Sequence, residues 1–510
     1  MKLNARIWFV VIAVVCVIYV LLRLWNLTDS CLWFDEIFGV HAAELSWGNL
    51  VWFVAQDLIH PPLFYASLKI WIAVGGTSLF WLRFFPVLFS VLAVVPFILL
   101  CRQLKLSLPT TALALIFFAA NGSLIKYAQE VRMYSLLLCF GLFSVWLFVR
   151  FLNSGKGFFL LIITNLLLVY SHYFGWLIIA SEIFAVVILA RERLKQIFLM
   201  LITVGLSFAP WIYTIWKATR INSNVGQNIG WMTKPNLLAF FQLIFDLFEP
   251  VYFEQSNTDS PAIFLIAVPI IAVGIIAFGF YFAVWKTESE IEKRSFLLLA
   301  IFLFIPILIA FFASWILPYS IWGTRHLIII FAPFVILLAI AFAKIKFRQP
   351  RLISLSLIFL LFSAALALQA TRGEPKYIWC AWENLAQSLR QTQPNINEPT
   401  KIYVFEDLIA YHFWFALRDS DKRFQIIKIN NIAGLTEDKA YFLPRGFSEV
   451  QTANDFAGEK FYVAFRDKNF DELAPPLKNL KVQNYQIGEP QVYETQGLKA
   501  FLVEIQKTNK

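Results

Sequence analysis

Leu32-Trp33-Phe34-Asp35-Glu36 stands a few residues beyond the apolar run Ile7–Trp25, and the two together decide how the chain is read. The run is long enough to cross about 30 Å of hydrocarbon. Adjacent carboxylates directly after it are costly to keep close to a bilayer and call for a reason. A bland one is that Asp readily caps a helix N-terminus. A sharper one is that an acid at this place takes a proton from a reacting hydroxyl.

Composition supports the membrane reading. Of 510 residues, 59% are hydrophobic, with 53 Phe and 18 Trp, and only 15% are charged, against roughly a quarter in soluble domains. Runs of spanning length recur at about 7–25, 80–101, 109–125, 132–149, 157–171, 173–190, 196–216, 261–285, 295–317, 326–343 and 352–370. The expectation is a polytopic all-α membrane protein with about eleven transmembrane helices. Lys2 and Arg6 ahead of the first run suggest a secretory signal, but Arg23, Leu24 and Trp25 occupy the place of a small-residue cleavage site, so an uncleaved anchor is expected.

Alternate short loops are rich in Lys and Arg: Lys2 and Arg6; Arg102 and Lys105; Arg150 and Lys156; Arg191, Arg193 and Lys195; Lys286, Lys293 and Arg294; Lys344, Lys346, Arg348 and Arg351. Positive charge is retained in the cytoplasm during insertion, so these are the predicted cytoplasmic loops. The net charge of +10 then needs no nucleic acid to explain it. On the opposite side collect Asp35, Glu36, His60, Glu130, Arg132, His172, Arg325 and His326, and none of the five histidines falls in a predicted cytoplasmic loop. That sorting predicts one aqueous site facing outward.

The first outer loop, about 26–79, carries apolar residues Ile37, Val40, Trp47, Leu50, Val51 and Val54 near helical spacing. It reads as a helix lying along the membrane surface, ended by His60-Pro61-Pro62. A second apolar stretch follows from Leu63 to Val74. The outer loop at about 217–260 is long enough to serve as a lid. Residues 1–371 thus form the transmembrane domain and 372–510 a soluble extracytoplasmic α/β domain. In that tail Lys401–Phe405, Phe424–Ile429, Ala440–Leu443 and Phe461–Phe465 read as strands, and Trp382–Arg390 and Asp407–Leu417 as helices. It has no glycine-rich nucleotide loop. Cys31 and Cys380 both fall outside, so a disulfide between them is one option, although sequence gives no distance.

Around Glu130, the segment Tyr127-Ala128-Gln129-Glu130-Val131-Arg132-Met133-Tyr134 puts Tyr127, Glu130 and Tyr134 on one face if it is helical, with Arg132 elsewhere. Such residues could bind a sugar hydroxyl, or form an interfacial charge pair with aromatic-belt tyrosines. His60 and His172, each taken alone, are weaker signals, since a lone histidine at a membrane interface is more often a hydrogen-bonded structural residue than a ligand. Arg325, in Gly323-Thr324-Arg325-His326, could grip a phosphate with two parallel hydrogen bonds or simply snorkel to the interface. A divalent cation could be held by Asp35, Glu130 and a histidine, yet no spacing requires one, and none is expected.

Trp33-Phe34-Asp35-Glu36, His60-Pro61-Pro62-Leu63-Phe64-Tyr65, Gln129-Glu130-Val131-Arg132-Met133-Tyr134 and His172-Tyr173-Phe174-Gly175, in that order, resemble successive blocks of bacterial lipid-linked-sugar glycosyltransferases related to protein O-mannosyltransferases and the aminoarabinose transferases. The resemblance covers about residues 5–345. It implies a GT-C fold and transfer of a sugar from a polyprenyl-phosphate donor to an acceptor hydroxyl outside the cytoplasm, on a glycan, lipid or protein. It also implies that Asp35 is the catalytic base, with Glu36 beside it. Arg325 falls where relatives place a basic residue against the donor phosphate, and Glu130, Arg132 and Tyr134 lie in a second-loop motif. His60 stands where some relatives have Lys, and a histidine meets a phosphate only when protonated or as a neutral donor. The alternative from another class is a transporter or flippase. Transporters place polar groups near mid-bilayer between internal repeats, whereas here they gather at one face.

Overall fold

The computed structural model describes residues 5–221, 225–251, 261–371, 376–392, 399–420, 423–430, 441–495 and 497–508. They fall into two compact units. One comprises Met1–Leu27, Leu50–Asn222 and Met232–Gly373, the other Thr28–Asn49, Ser223–Trp231 and Glu374–Lys510. The second therefore takes in the Asp35-Glu36 segment, which the sequence reading kept with the transmembrane domain.

The first unit is helical because hydrocarbon offers a backbone no partner but itself. Among the described residues, seven helices are long and apolar enough to cross a membrane: Ala5–Leu24, Leu79–Gln103, Tyr134–Ser154, Arg191–Thr219, Ile266–Val284, Glu290–Ile316 and Arg348–Ala370. Shorter apolar helices at Leu108–Ala120, Phe158–Ser171, Gly175–Leu189 and Ile328–Ala343 coincide with the other four expected runs. This is a multi-pass membrane protein.

Several expected boundaries shift for identifiable reasons. The 80–101 run is two helices, Leu79–Leu92 and Val94–Gln103. Pro96 cannot donate a hydrogen bond back to Leu92, so the ladder is interrupted near Ala93. The 109–125 run stops at Ala120. There Asn121 caps a new helix, Gly122–Gln129, accepting from the Leu124 amide at 3.0 Å while its Nδ2 donates to the carbonyls of Asp246 and Leu247 at 3.1 and 3.2 Å. The surface helix expected from Ile37 to Val54 is two, Phe34–Glu44 and Trp47–Asp57, because Leu45 turns to extended backbone. The second ends just before the prolines, and Leu63–Gly75 forms a further helix. The long outer loop contains the helix Leu237–Phe248, held where Gly122 N–H meets Glu249 O at 2.9 Å; residues 222–224 and 252–260 lie outside the described residues.

Arg23, which occupies the place of a cleavage site, is completely buried. Its guanidinium donates to the carbonyls of Ala119 at 2.7 Å and Phe118 at 3.2 Å and lies 3.4 Å from the centre of the Tyr19 ring. Those carbonyls end the Leu108–Ala120 helix, where no helical amide reaches them and the helix dipole is negative. One cation thereby ties the first helix to another. Deeper in the unit, the Ser144 hydroxyl is 2.6 Å from both Asn165 Oδ1 and Glu182 Oε1, and Asn165 Nδ2 donates to Glu182 Oε2 at 2.8 Å. Three helices, Tyr134–Ser154, Phe158–Ser171 and Gly175–Leu189, are joined by this buried network.

The second unit contains one six-stranded mixed sheet. Its strands are β1 Thr400–Val404, β2 Phe424–Ile429, β3 Gln451–Ala453, β4 Lys460–Asp467, β5 Tyr485–Glu494 and β6 Lys499–Lys507, in the order β3-β2-β1-β4-β6-β5. β1 pairs in parallel with β2 and β4, and β6 pairs antiparallel with β4 and β5. The helix Asp407–Leu417 is the β1–β2 crossover that a parallel pair requires. Apolar clusters cover both faces. One is formed around Trp382, Ile402, Phe413 and Leu502, the other around Tyr403, Phe461, Phe501 and Ile505.

Tyr441–Leu443 is not a strand as expected: the Leu443 amide donates to the Asp407 carboxylate at 3.1 Å instead of to a ladder, and Ala440 lies outside the described residues. The Cys31–Cys380 disulfide is formed, with Cα atoms 5.4 Å apart, and ties the segment of Asp35 to the helix Ile378–Thr392. Cys380→Ser should destabilise this unit by about 2–4 kcal/mol, read as a lower thermal midpoint and faster proteolysis of the C-terminal region in detergent. An unchanged midpoint would show that the bridge adds nothing to packing already present.

Candidate active site

The residues singled out in the sequence divide between the units: Asp35 and Glu36 belong to one, and His60, Glu130, Arg132, Tyr134, His172 and Arg325 to the other.

In the second unit Trp33 is extended, and the helix Phe34–Glu44 begins immediately after it. Glu36 is completely buried, and its Oε2 accepts the Trp33 amide at 3.0 Å. This is how an acid in the first turn satisfies an orphan donor at a helix start. Glu36 is thus committed to holding the turn, while its neighbour Asp35 is half-buried at the positive end of the same helix. Phe34 fixes the turn from beneath, its ring 5.2 Å from that of Tyr411. Two helical turns further on, His41 Nδ1 lies 2.9 Å from the Tyr411 hydroxyl, and the ring stands 4.6 Å from Trp414. Burial, with Arg418 nearby, pushes the His41 pKa down to about 4.

In the first unit the expected helix through Glu130 does not form. The Arg132 amide turns back to the Glu130 carbonyl at 2.6 Å, a tight reversal that separates Gly122–Gln129 from Tyr134–Ser154. Tyr127 and Tyr134 nevertheless meet across the break, with rings 5.1 Å apart. The other members come from three further turns. His60 follows the Trp47–Asp57 helix, His172 joins Phe158–Ser171 to Gly175–Leu189, and His326 precedes Ile328–Ala343.

The three histidines form a row: the His172 ring is 5.3 Å from His60 and 5.4 Å from His326, and Tyr134 lies 6.3 Å from both His172 and His326. All three are buried. Burial, together with the charges of Arg132 and Arg325 on His60 and His172, and of Arg325 on His326, holds their pKa values well below that of free imidazole. They are neutral at physiological pH, so the cationic phosphate role considered for His60 has no support, and a neutral donor role is what its surroundings allow.

Tautomers follow from hydrogen bonding. His172 Nδ1 accepts the Phe174 amide at 3.0 Å, so its proton is on Nε2, which is buried without a partner. Both ring nitrogens of His60 are likewise buried without a hydrogen bond, and the Asp57 carboxylate stands 3.7 Å from its Nδ1. Gly323 leaves room for this packing, since a Cβ there would crowd His326 Nδ1 at 3.0 Å. Asp57 and Asp246 were not singled out in the sequence. Asp57 stands three residues before His60, but nothing local marks Asp246, whose charge reaches Tyr127. Among the described residues no group of three His, Cys, Asp or Glu is placed to hold a metal ion, and the combination of Asp35, Glu130 and a histidine draws on both units.

No family model and no curated protein matches the chain. Solved structures do. ArnT from Cupriavidus metallidurans bound to undecaprenyl phosphate is similar over 98% of both chains, with a TM-score of 0.60 at 12% identity. The Archaeoglobus fulgidus oligosaccharyltransferase, in a complex with Zn and sulfate, matches over 82% of this chain with a TM-score of 0.50 at 15% identity. The chain spans 62% of the length of that protein. At such identities the likeness is one of fold, and the fold is the GT-C-like one that the sequence blocks imply: apolar helices followed by a small C-terminal sheet domain.

Proposed function

We propose that the chain is an integral membrane glycosyltransferase that moves a sugar, with inversion, from a polyprenyl-phosphate donor to an acceptor hydroxyl of a glycan, lipid or protein on the extracytoplasmic side. The observation that carries this reading is the row of buried neutral histidines under the field of Arg132 and Arg325. Two guanidiniums suit a phosphate, which they can bind through paired N–H groups. The unpartnered Nε2–H of His172 supplies a further donor without a further charge. The fold adds weight, because the similar ArnT structure holds undecaprenyl phosphate.

In the proposed reaction the acceptor oxygen attacks the anomeric carbon, and its proton passes to Asp35. The bond from that carbon to the phosphate oxygen breaks, and the phosphate leaves with the electron pair. Charge grows on the phosphate as the bond lengthens, and donors already fixed by packing stabilise it without reorganising. Glu130 and Tyr134 would hold sugar hydroxyls, and Glu36 would position the turn that carries Asp35.

Asp35→Asn should lower transfer about 10²–10⁴-fold, the range typical of a lost general base, in an assay of sugar release from a panel of polyprenyl-phosphate sugars by purified protein. Near-normal turnover in a folded variant would reject Asp35 as the base, and a product of retained anomeric configuration would reject the single displacement. Arg325→Ala should raise the donor Kd roughly ten- to a hundredfold, as for a lost charge-assisted hydrogen bond, with acceptor affinity little changed. Equal losses for donor and acceptor would remove its phosphate role.

The histidines fix a pH dependence. Their folded pKa values lie below about 6.5, so on acidification the unfolded chain takes up protons first. The stability gained by burying them neutral is complete above about pH 6.5 and is lost as pH falls below it. The thermal midpoint in detergent should therefore drop between pH 6.5 and 4.5, and drop less in His172→Gln. Parallel profiles for the two proteins would mean that His172 is not buried neutral.

A further inference from the structure

At the other end of the Tyr134–Ser154 helix, away from the tyrosine and histidine row, lies a cavity of about 820 Å³. That helix has 21 residues and at 1.5 Å per residue carries the chain about 30 Å, the thickness of a bilayer core. The cavity opens between the ends of three helices, Val94–Gln103, Tyr134–Ser154 and Glu290–Ile316. Arg102, Lys105, Arg150 and Arg294 line it, together with Trp146 and a wall of leucines.

Basic residues on this side follow from membrane topology alone. What topology does not explain is that they surround a cavity and, among the described residues, have no paired carboxylate. The carboxylates of the neighbouring segment are engaged elsewhere: Glu288 and Glu292 take Lys344, and Glu290 takes Lys293 at 2.9 Å. Among the described residues none of the four cations lining the cavity is paired with a carboxylate. Arg150 instead lies 5.8 Å from the Trp146 ring. Four cations around one hollow repel one another, moderately where Arg102, Lys105 and Arg294 are exposed to solvent, and an anion shared between them turns that repulsion into attraction. Leu99, Leu104, Leu152 and Leu298 form an apolar part of the wall, beside the polar Gln103, Asn153 and Ser295, a mixture that suits a headgroup and the upper part of an acyl chain.

We propose that this cavity is a binding site for the headgroup of an anionic phospholipid, its phosphate shared among Arg102, Lys105, Arg150 and Arg294 and its chains running down between the helices. Basic pockets between membrane helices are suited to this class of ligand. The site is separate from the donor-phosphate reading and does not depend on it.

The test is native mass spectrometry and lipid exchange on the full chain. Protein would be reconstituted with phosphatidylglycerol, cardiolipin, phosphatidylcholine or polyprenyl phosphate, and compared with Arg102→Gln/Arg294→Gln and with Ser295→Trp. Ser295 lines the cavity, so the tryptophan fills it and leaves every charge, and thus the insertion signal, in place. The expected result is retention of one anionic phospholipid by the wild type at least tenfold above phosphatidylcholine, reduced at least tenfold in both variants while Arg325→Ala retains it. Undiminished retention by Ser295→Trp, or equal retention of phosphatidylcholine, would overturn the site. Stoichiometric polyprenyl phosphate at this place, displacing phospholipid at equal concentration, would overturn its assignment to a phospholipid.

Discussion

Within hydrocarbon no water is present to take up a backbone carbonyl or a charge, so each must find its partner in the protein, and the first unit is organised by that requirement. It makes helices obligatory, but it acts most sharply where a helix must stop. The Leu108–Ala120 helix ends inside the unit because Arg23 accepts the burden of its last carbonyls. The next helix can start there because Asn121 caps it and donates to the end of Leu237–Phe248. A fully buried guanidinium is costly on its own. Bonded through its two terminal nitrogens to carbonyls and set against an aromatic ring, it fixes which helices are neighbours. The Ser144, Asn165 and Glu182 network does the same at greater depth, where apolar side chains alone select partners weakly because lipid is as apolar as they are.

The candidate site is built from the interruptions that this economy permits. His60, Glu130, Arg132, His172 and Arg325 all lie in turns between helices, not on them. Arg132 and Arg325 place positive charge there, and the histidines answer by staying neutral. The outcome is a region where two guanidiniums and neutral imidazoles gather beside the carboxylates of Asp57 and Glu130. Asp35 has a different support, a helix start secured by the Glu36 cap, aromatic packing against Tyr411 and the disulfide to Cys380.

Much of this was legible in the chain. Eleven apolar runs gave the helices, since length and hydropathy are local properties. The βαβ unit of the tail was readable from Lys401–Phe405, Asp407–Leu417 and Phe424–Ile429 for the same reason. The four blocks around Trp33, His60, Gln129 and His172 also point to the fold. Missed were the features that depend on partners far off in sequence. β5 carries too little hydrophobic alternation to be recognised alone, and its place is set by pairing with β6. Glu182 looks like an isolated charge in an apolar run until Ser144 and Asn165 are beside it.

Sequence by itself determined that this is a multi-pass membrane protein with a sheet-containing tail and polar residues sorted to one set of loops, because composition and period are written along the chain. Only tertiary structure decided that Cys31 and Cys380 are joined, that Glu36 caps the helix beside Asp35, and that three histidines from separate turns lie in a row. Distance, burial and protonation state arise from segments tens to hundreds of residues apart coming together. No local pattern encodes them.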